Sequence, residues 1–443
     1  MDNARKVAVD ILNNVLGKNA FSNIELGKQL NKSKLNEKDK GLVTEIVYGT
    51  IKYKYTIDII LASFLKNGID SLDSFILNLL RMTVYQIKYL DKIPDFAAVD
   101  EAVNISKNYR SIGSSKLVNG VLRNYIRSLA KQPAEISNNI SKLSYDYSFE
   151  PWMVNLLIDQ YGEKDAISIL EGLNKIPNVT IRVNNLKIKF DEAFQKLCDL
   201  GYNVEEGNVC AEAIRIEKGK NIENNPLFRD GFITVQDESA MLVAPSLDLM
   251  EDMLVLDMCS APGGKTTHIS ELMDNTGTVK AFDIYNHKLK LVEDNAKRLG
   301  VTNISCEILD ATTYSDSLRN SADRILIDVP CSGIGIIRKK PEIKWSKSLK
   351  DLSTLIDIQR KIISNAVKYL KPGGIMIYST CTLNKHENEE NIEWLTKQFP
   401  AISVEPLYYG KLDNLIYHEK GYVTILPNEY MDGFFIAKLK RQC

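Results

Sequence analysis

From residue 253 onward, short apolar runs return at intervals that suit one class of sheet. MLVLD at 253–257, TVKAFD at 278–283, NISCEIL at 303–309, ADRILID at 322–328 and GGIMIYS at 373–379 each have strand length, and a helix-length or loop segment separates each from the next. Strands alternating with helices predict a parallel, doubly wound α/β sheet covered on both faces. The tail breaks the pattern: runs at 422–426 and 433–439 lie close together and predict an antiparallel hairpin at the sheet edge.

The rest of the chain reads differently. Val7, Ile11, Leu12, Val15 and Leu16 recur at helical spacing, as do Ile76, Leu79, Leu80, Thr83, Val84 and Ile87, and Pro94 is the one proline in the first 130 residues. An all-α domain is expected over 1–140. Between 141 and 245, short helices at 152–161, 165–173 and 191–200 mix with strands at 179–184, 213–216 and 232–235, which predicts a small α+β unit. The α/β domain then occupies 246–443. A chain of 443 residues with 44% hydrophobic and 26% charged residues has the mass for several cores, which excludes disorder and collagen-like repeats.

Composition narrows the function classes. No apolar run approaches a membrane span, and the first ten residues are charged, so a cytoplasmic protein without membrane contact is expected. The seven cysteines are odd in number, none precedes Cys198, no CxxC pair occurs and the four histidines are scattered, which argues against disulfides and a metal site. The net charge of −1 hides an asymmetry. Residues 1–140 carry 20 Lys and Arg against 14 Asp and Glu, whereas the remainder carries 36 against 43, so the first domain is the expected partner of a polyanion such as RNA. A monomer is expected.

The first α/β strand runs into Asp257-Met258-Cys259-Ser260-Ala261-Pro262-Gly263-Gly264-Lys265-Thr266-Thr267. Glycines at a strand-to-helix turn let the backbone approach a nucleotide-like ligand, with helix-end N–H groups aimed at it. Cys259 stands where a Walker A loop needs glycine, and GxGxxG spacing is missing, which weakens ATP hydrolysis and dinucleotide redox chemistry. Asp283 ends the second strand, Asp310 follows the third and Asp328 ends the fourth, so three carboxylates converge at the carboxyl edge. Such a set suits ribose hydroxyls and an amino group and repels polyphosphate. S-adenosylmethionine, an adenosine carrying a sulfonium cation, fits.

Two cysteines follow adjacent strands at that edge, in Asp328-Val329-Pro330-Cys331 and Ser379-Thr380-Cys381. Methylating an amine or hydroxyl needs no thiol, whereas carbon 5 of a pyrimidine becomes nucleophilic only after a thiolate adds to carbon 6. A second group must then remove the carbon 5 proton, and an acid must face ring nitrogen 3. Two cysteines and Asp328 make up that set, and the residues alone leave open which cysteine attacks.

With these motifs the chain resembles the RNA 5-methylcytosine methyltransferases, specifically the bacterial small-subunit ribosomal RNA methyltransferase B type. Further marks are Asn119-Gly120-Val121-Leu122-Arg123, Ile181-Arg182-Val183-Asn184 and Val235-Gln236-Asp237-Glu238-Ser239-Ala240, so the likeness spans nearly the whole chain. The resemblance implies a NusB-like RNA-binding domain, a ferredoxin-like unit and a Rossmann-like methyltransferase acting on 16S ribosomal RNA. It also implies that Cys259, Ser260, Ala261, Pro262, Gly263, Gly264, Lys265, Asp283, Asp310 and Asp328 hold S-adenosylmethionine, that Cys381 is the nucleophile and that Cys331 assists product release. Ser260, Val329 and Lys340 depart from the commoner Ala, Ala and His without removing a catalytic group. Arg123, Arg127, Arg182 and 338–340 are the candidate phosphate contacts, and the target base must leave its stack to reach Cys381. Two alternatives stand beside this reading: a non-catalytic RNA-binding assembly factor, which the intact Cys331, Cys381 and Asp328 disfavour, and the same chemistry on transfer RNA.

Overall fold

Apolar residues at helical spacing build the first part of the chain from helices alone. In the computed structural model, which describes residues 3–18, 20–109, 112–129, 138–218 and 222–443, these are α1 (Ala4–Lys18), α2 (Ser22–Lys32), α3 (Glu37–Lys52), α4 (Lys54–Ala62), α5 (Ser74–Tyr89), α6 (Asp95–Tyr109) and α7 (Ile112–Ser128), followed by α8 (Asn139–Tyr147), α9 (Pro151–Tyr161) and α10 (Glu163–Asn174). Polar side chains start several of them. The Asn36, Asp73 and Asn138 side chains accept first-turn N–H groups, and Pro151 opens α9, where its missing N–H costs nothing. Ile11, Leu12, Ile46, Val47, Leu79, Leu80 and Leu122 are fully buried in the core these helices enclose.

The chain divides into two compact units, Met1–Asn174 with Ile337–Lys347, and Lys175–Ile336 with Ser348–Cys443. Helices α8 to α10, read from the sequence as the start of the middle segment, thus belong with the first unit. So does a return of the chain at 337–347, which no local pattern announces. Its Glu342 carboxylate accepts from Ser22 N at 3.1 Å and Ser22 Oγ at 2.7 Å, and Trp345 Nε1 donates to the Ile51 carbonyl at 2.7 Å. Lys344 is wholly buried there. Its ammonium donates to the carbonyls of Lys52 (3.1 Å) and Ser148 (2.9 Å) and to Asn174 Oδ1 (2.8 Å), and lies 3.7 Å from the centre of the Phe149 ring.

The second unit holds two sheets. The smaller is antiparallel, in the order β2-β3-β1-β4, from β1 (Val179–Val183), β2 (Asn203–Glu206), β3 (Ala213–Lys218) and β4 (Ile233–Val235), with the helix Phe190–Asp199 packed on it. The larger has nine strands: β5 (Leu254–Asp257), β6 (Thr278–Asp283), β7 (Ile304–Ile308), β8 (Ala322–Asp328), β9 (Leu370–Thr380), β10 (Ile402–Glu405), β11 (Leu415–Tyr417), β12 (Val423–Ile425) and β13 (Phe434–Arg441). Strands β9-β8-β5-β6-β7 are mutually parallel, β13 pairs antiparallel with β9, and β12 pairs antiparallel with β13. The expected doubly wound sheet and its edge hairpin are present; β2, β10 and β11 are additional to the sequence reading. The chain runs outward from β5 in one direction through β6 and β7, then in the other through β8 and β9, so the order reverses beside β5. Ligands of open α/β sheets bind outside the carboxyl ends of the strands at such a reversal.

Candidate active site

The carboxyl edge of β5 carries the glycine loop because the chain must turn from a buried strand into the helix Gly264–Leu272 within a few residues. Gly263 makes that turn at φ +104°, a backbone conformation open to glycine, and a Cβ there would lie 3.0 Å from Val292 Cα. Ser260 N donates to the Phe282 carbonyl at 2.8 Å, tying the loop to β6. Beneath it lies Asp257, a residue not assigned a role from the sequence. It accepts from Thr266 Oγ1 at 2.7 Å, and burial pushes its carboxyl up to about 7. Burial likewise pushes the Cys259 thiol well above its ordinary range, which makes it a poor nucleophile.

The other acidic residues stand at neighbouring strand ends. Asp283 closes β6 and accepts from Tyr285 N at 3.0 Å, with Ile284 and Tyr285 exposed beside it. Asp310, two residues past β7, accepts from Thr312 N at 2.9 Å. Asp328 closes β8, in register beside Ser379 of β9, and this pairing sets its contacts: Ser379 Oγ donates to Oδ1 at 2.8 Å and Lys265 Nζ to Oδ2 at 2.7 Å. Burial alone would pull Lys265 down; Asp328 beside it carries the ammonium above its ordinary value.

The same register brings the cysteines together. Cys331 lies three residues past Asp328 and Cys381 two past Ser379, and their sulfurs are 3.3 Å apart. Contact with the Cys381 sulfur, and then burial, push the Cys331 thiol well above its ordinary range. Both loops are pinned from behind. Ser332 Oγ and Thr382 Oγ1 are 2.6 Å apart, Glu387 accepts from Ser332 N at 2.9 Å, Gln359 Nε2 donates to the Pro330 carbonyl at 3.0 Å and to Glu387 at 2.9 Å, and Gly335 N donates to the Cys381 carbonyl at 3.0 Å. Glu387 and Gln359 have no motif around them that marks them in the sequence. Their signal is purely three-dimensional.

Two of the basic candidates do not face solvent. Arg182 lies inside β1 with its side chain wholly buried, and Arg338 is buried as well, so neither guanidinium is a surface phosphate contact. For Arg182 the reason is an acceptor set drawn from distant residues, led by Glu271. Arg123 and Arg127 are exposed on α7, and Lys339 and Lys340 are half-buried. Among the described residues, no group of three or more His, Cys, Asp or Glu side chains has metal-binding geometry, and no helix is long and apolar enough to cross a membrane.

An all-α domain, a ferredoxin-like unit and a Rossmann-like sheet with this edge define a methyltransferase with two accessory domains. Residues 244–440 match the 16S rRNA methyltransferase RsmB/F family model, residues 2–127 the NusB family, and residues 149–223 the ferredoxin-like domain of RsmF/B-like methyltransferases. The chain belongs to the ribosomal RNA small subunit methyltransferase B family. Over 442 residues it is 36% identical to the Bacillus subtilis protein named "Probable ribosomal RNA small subunit methyltransferase B", covering 99% of this chain and 98% of that one. A protein of the same name from Synechocystis is 32% identical over 450 residues and covers both chains in full. The crystal structure of PH0851 shares the fold, with a TM-score of 0.86 at 24% identity over 100% of this chain and 99% of that one.

Proposed function

We propose that the protein transfers a methyl group from S-adenosylmethionine to carbon 5 of a cytosine in 16S ribosomal RNA, through a covalent bond between Cys381 and carbon 6. The observation that carries this reading is the 3.3 Å approach of the Cys331 and Cys381 sulfurs at the edge where the glycine loop lies. Paired thiols serve no purpose in methylating nitrogen or oxygen, and carbon 5 of a pyrimidine requires a nucleophile at carbon 6. Ribosomal RNA as substrate follows from the names of the Bacillus and Synechocystis relatives.

The residues present suit the donor. The loop runs straight into the helix Gly264–Leu272, whose first-turn N–H groups have no acceptor within the helix itself and suit a ligand. Asp283 offers a carboxylate to ribose hydroxyls, with exposed Ile284 beside it as an apolar surface for a base. Lys265, the one cation of the loop, is engaged by Asp328, which leaves the edge acidic and suited to a cationic adenosine without phosphates. Cys259, Ser260, Ala261, Pro262, Gly263, Gly264 and Lys265, with Asp283, Asp310 and Asp328, are the residues we assign to holding it. When bound, S-adenosylmethionine supplies an electrophilic methyl group.

Cys381 acts as the nucleophile and Cys331 assists product release. Contact with the Cys381 sulfur 3.3 Å away, and then burial, keep the proton on Cys331. Product release then breaks the carbon 5–hydrogen bond, with Cys331 as the group that assists it, and the electron pair left behind re-forms the 5,6 double bond and expels the Cys381 sulfur from carbon 6. Lys265 and Ser379 hold the Asp328 carboxyl where it meets the polar edge of the flipped base. The test uses 16S RNA carrying tritium at carbon 5 of cytosine: methylation is expected to release one tritium per methyl group, and methyl incorporation without tritium release would overturn the mechanism.

A further inference from the structure

We propose that Arg182 is a positioning residue for the methyl donor: from the ferredoxin-like unit it holds the backbone of the glycine loop and thereby sets donor affinity. The proposal rests on the reading above that residues 259–265 hold S-adenosylmethionine. Among the described residues Arg182 is the largest wholly buried side chain, and its guanidinium meets the helix Gly264–Leu272 along one face. Nη1 donates to the Gly264 carbonyl at 2.8 Å and also to Gln236 Oε1. Nη2 donates to Thr267 Oγ1 at 3.2 Å and to Glu271 Oε1 at 2.7 Å, and Nε to Glu271 Oε2 at 3.1 Å. Thr267 Oγ1 in turn donates to the Gly263 carbonyl at 2.9 Å. Both loop glycines are therefore held through their carbonyl oxygens from the side away from the ligand.

Stability alone is a weak reason for this arrangement. A cation beside a helix N-terminus opposes the helix dipole, and an ion pair sealed from water generally stabilises no more than apolar residues of the same volume. What an apolar pair lacks is a donor for a carbonyl. Gly263 and Gly264 have the softest backbone dihedrals in the loop, and the peptides whose carbonyls are held carry the N–H groups of Gly264 and Lys265, which point at a ligand only if the opposite side of each peptide is restrained. Fixing the carbonyls in advance removes that ordering cost from the binding step. A guanidinium does this with a planar fork that reaches Glu271 and Gly264 together; an ammonium, with one nitrogen, does not.

The experiment is calorimetric titration of the full chain with S-adenosylmethionine, together with steady-state kinetics and thermal unfolding. Arg182→Lys keeps the charge and loses the fork, and is expected to weaken donor binding roughly tenfold, about 1.4 kcal/mol. KM for the donor should rise by a similar factor, with kcat at saturation and KM for RNA within about twofold of wild type. Glu271→Gln leaves the guanidinium on Gly264, so it should lower the melting temperature while donor affinity stays within about twofold. Gln236→Met, a milder change that frees Nη1 on one side, covers the case in which Arg182→Lys does not fold, and should weaken donor binding about threefold. Variants at 182 and 236 that melt earlier yet bind the donor as wild type does would reduce Arg182 to a structural strut. A wild-type chain that binds no donor would overturn the reading of the loop itself, a result distinguishable from the first.

Discussion

The separate tasks proposed for the two thiols have a direct chemical readout. With Cys331→Ala, attack on carbon 6 proceeds but elimination stalls, so a covalent RNA adduct that survives denaturing electrophoresis is expected to accumulate. Cys381→Ala should form none, and the reverse pattern would exchange the roles. Asp257 gives a second test. Burial pushes its carboxyl up to about 7 from an ordinary value of 3.8, so the unfolded chain releases this proton first as pH rises. Stability from this group is present in full below about pH 4 and falls through the window up to pH 7, by at most ~1.4 kcal/mol per pH unit. Asp257→Asn removes the titration, so the melting temperature of the variant relative to wild type is expected to rise from pH 5 to pH 8; a constant difference would refute the assignment. At this scale the sequence was legible where chemistry marks a position. The glycine loop and the Pro-Cys and Thr-Cys ends were readable because few structural roles need those residues there. Arg182 was misread because an arginine in a strand looks like a surface charge until its acceptor, Glu271, 89 residues away, is brought to it.

Between elements, the cysteine loops are held at backbone distance. Gly335 N donates to the Cys381 carbonyl at 3.0 Å, and Gly433 N to the Gly335 carbonyl at 2.9 Å, so the segment after Cys331, the end of β9 and the approach to β13 meet without side chains between them. A Cβ on Gly335 would lie 2.0 Å from the Gly433 carbonyl oxygen and 2.9 Å from that of Cys381. Gly335→Ala therefore forces a backbone shift in the loop that carries one thiol against the loop that carries the other. Stability is expected to fall by ~1–3 kcal/mol in chemical denaturation. Single-turnover methylation should fall by about a hundredfold, the effect of roughly an ångström of misplacement at a reacting centre. Full activity in this variant would mean that the close approach is dispensable. Strands β5, β6, β8 and β9 were readable because a sheet covered on both faces writes itself as apolar runs. Strands β2, β10 and β11 are only three or four residues long; pairing with β3, β13 and β12 makes them strands, and a partner's position is not a local property of the sequence.

The classes of the helical and α/β parts followed from periodicity, but the return of 337–347 into the helical unit did not, since it depends on residues more than 150 positions away. Lys344 shows why. In sequence it is one lysine in a basic stretch; in the fold its ammonium replaces water with the carbonyls of Lys52, Tyr147 and Ser148, the Asn174 side chain and the Phe149 ring, all of the helical unit. Ile337 and Ile343 are buried in that unit, and Trp345 packs against its core. The helical unit is thus completed by eleven residues whose flanking chain belongs to the other unit. A fragment of residues 175–443 would carry those side chains with nothing to cover them, and a fragment of 1–174 would leave the Lys52 and Ser148 carbonyls and Asn174 without their donor. Expressed alone, 175–443 is expected to self-associate in size-exclusion chromatography, because an exposed apolar segment of this kind seeks a partner. Adding 1–174 in trans should restore a one-to-one complex, and Lys344→Glu, which places a carboxylate against those carbonyls, should abolish that rescue. A monodisperse 175–443 fragment that gains nothing from the added helices would show that the segment is an ornament of the helical unit and not part of its core.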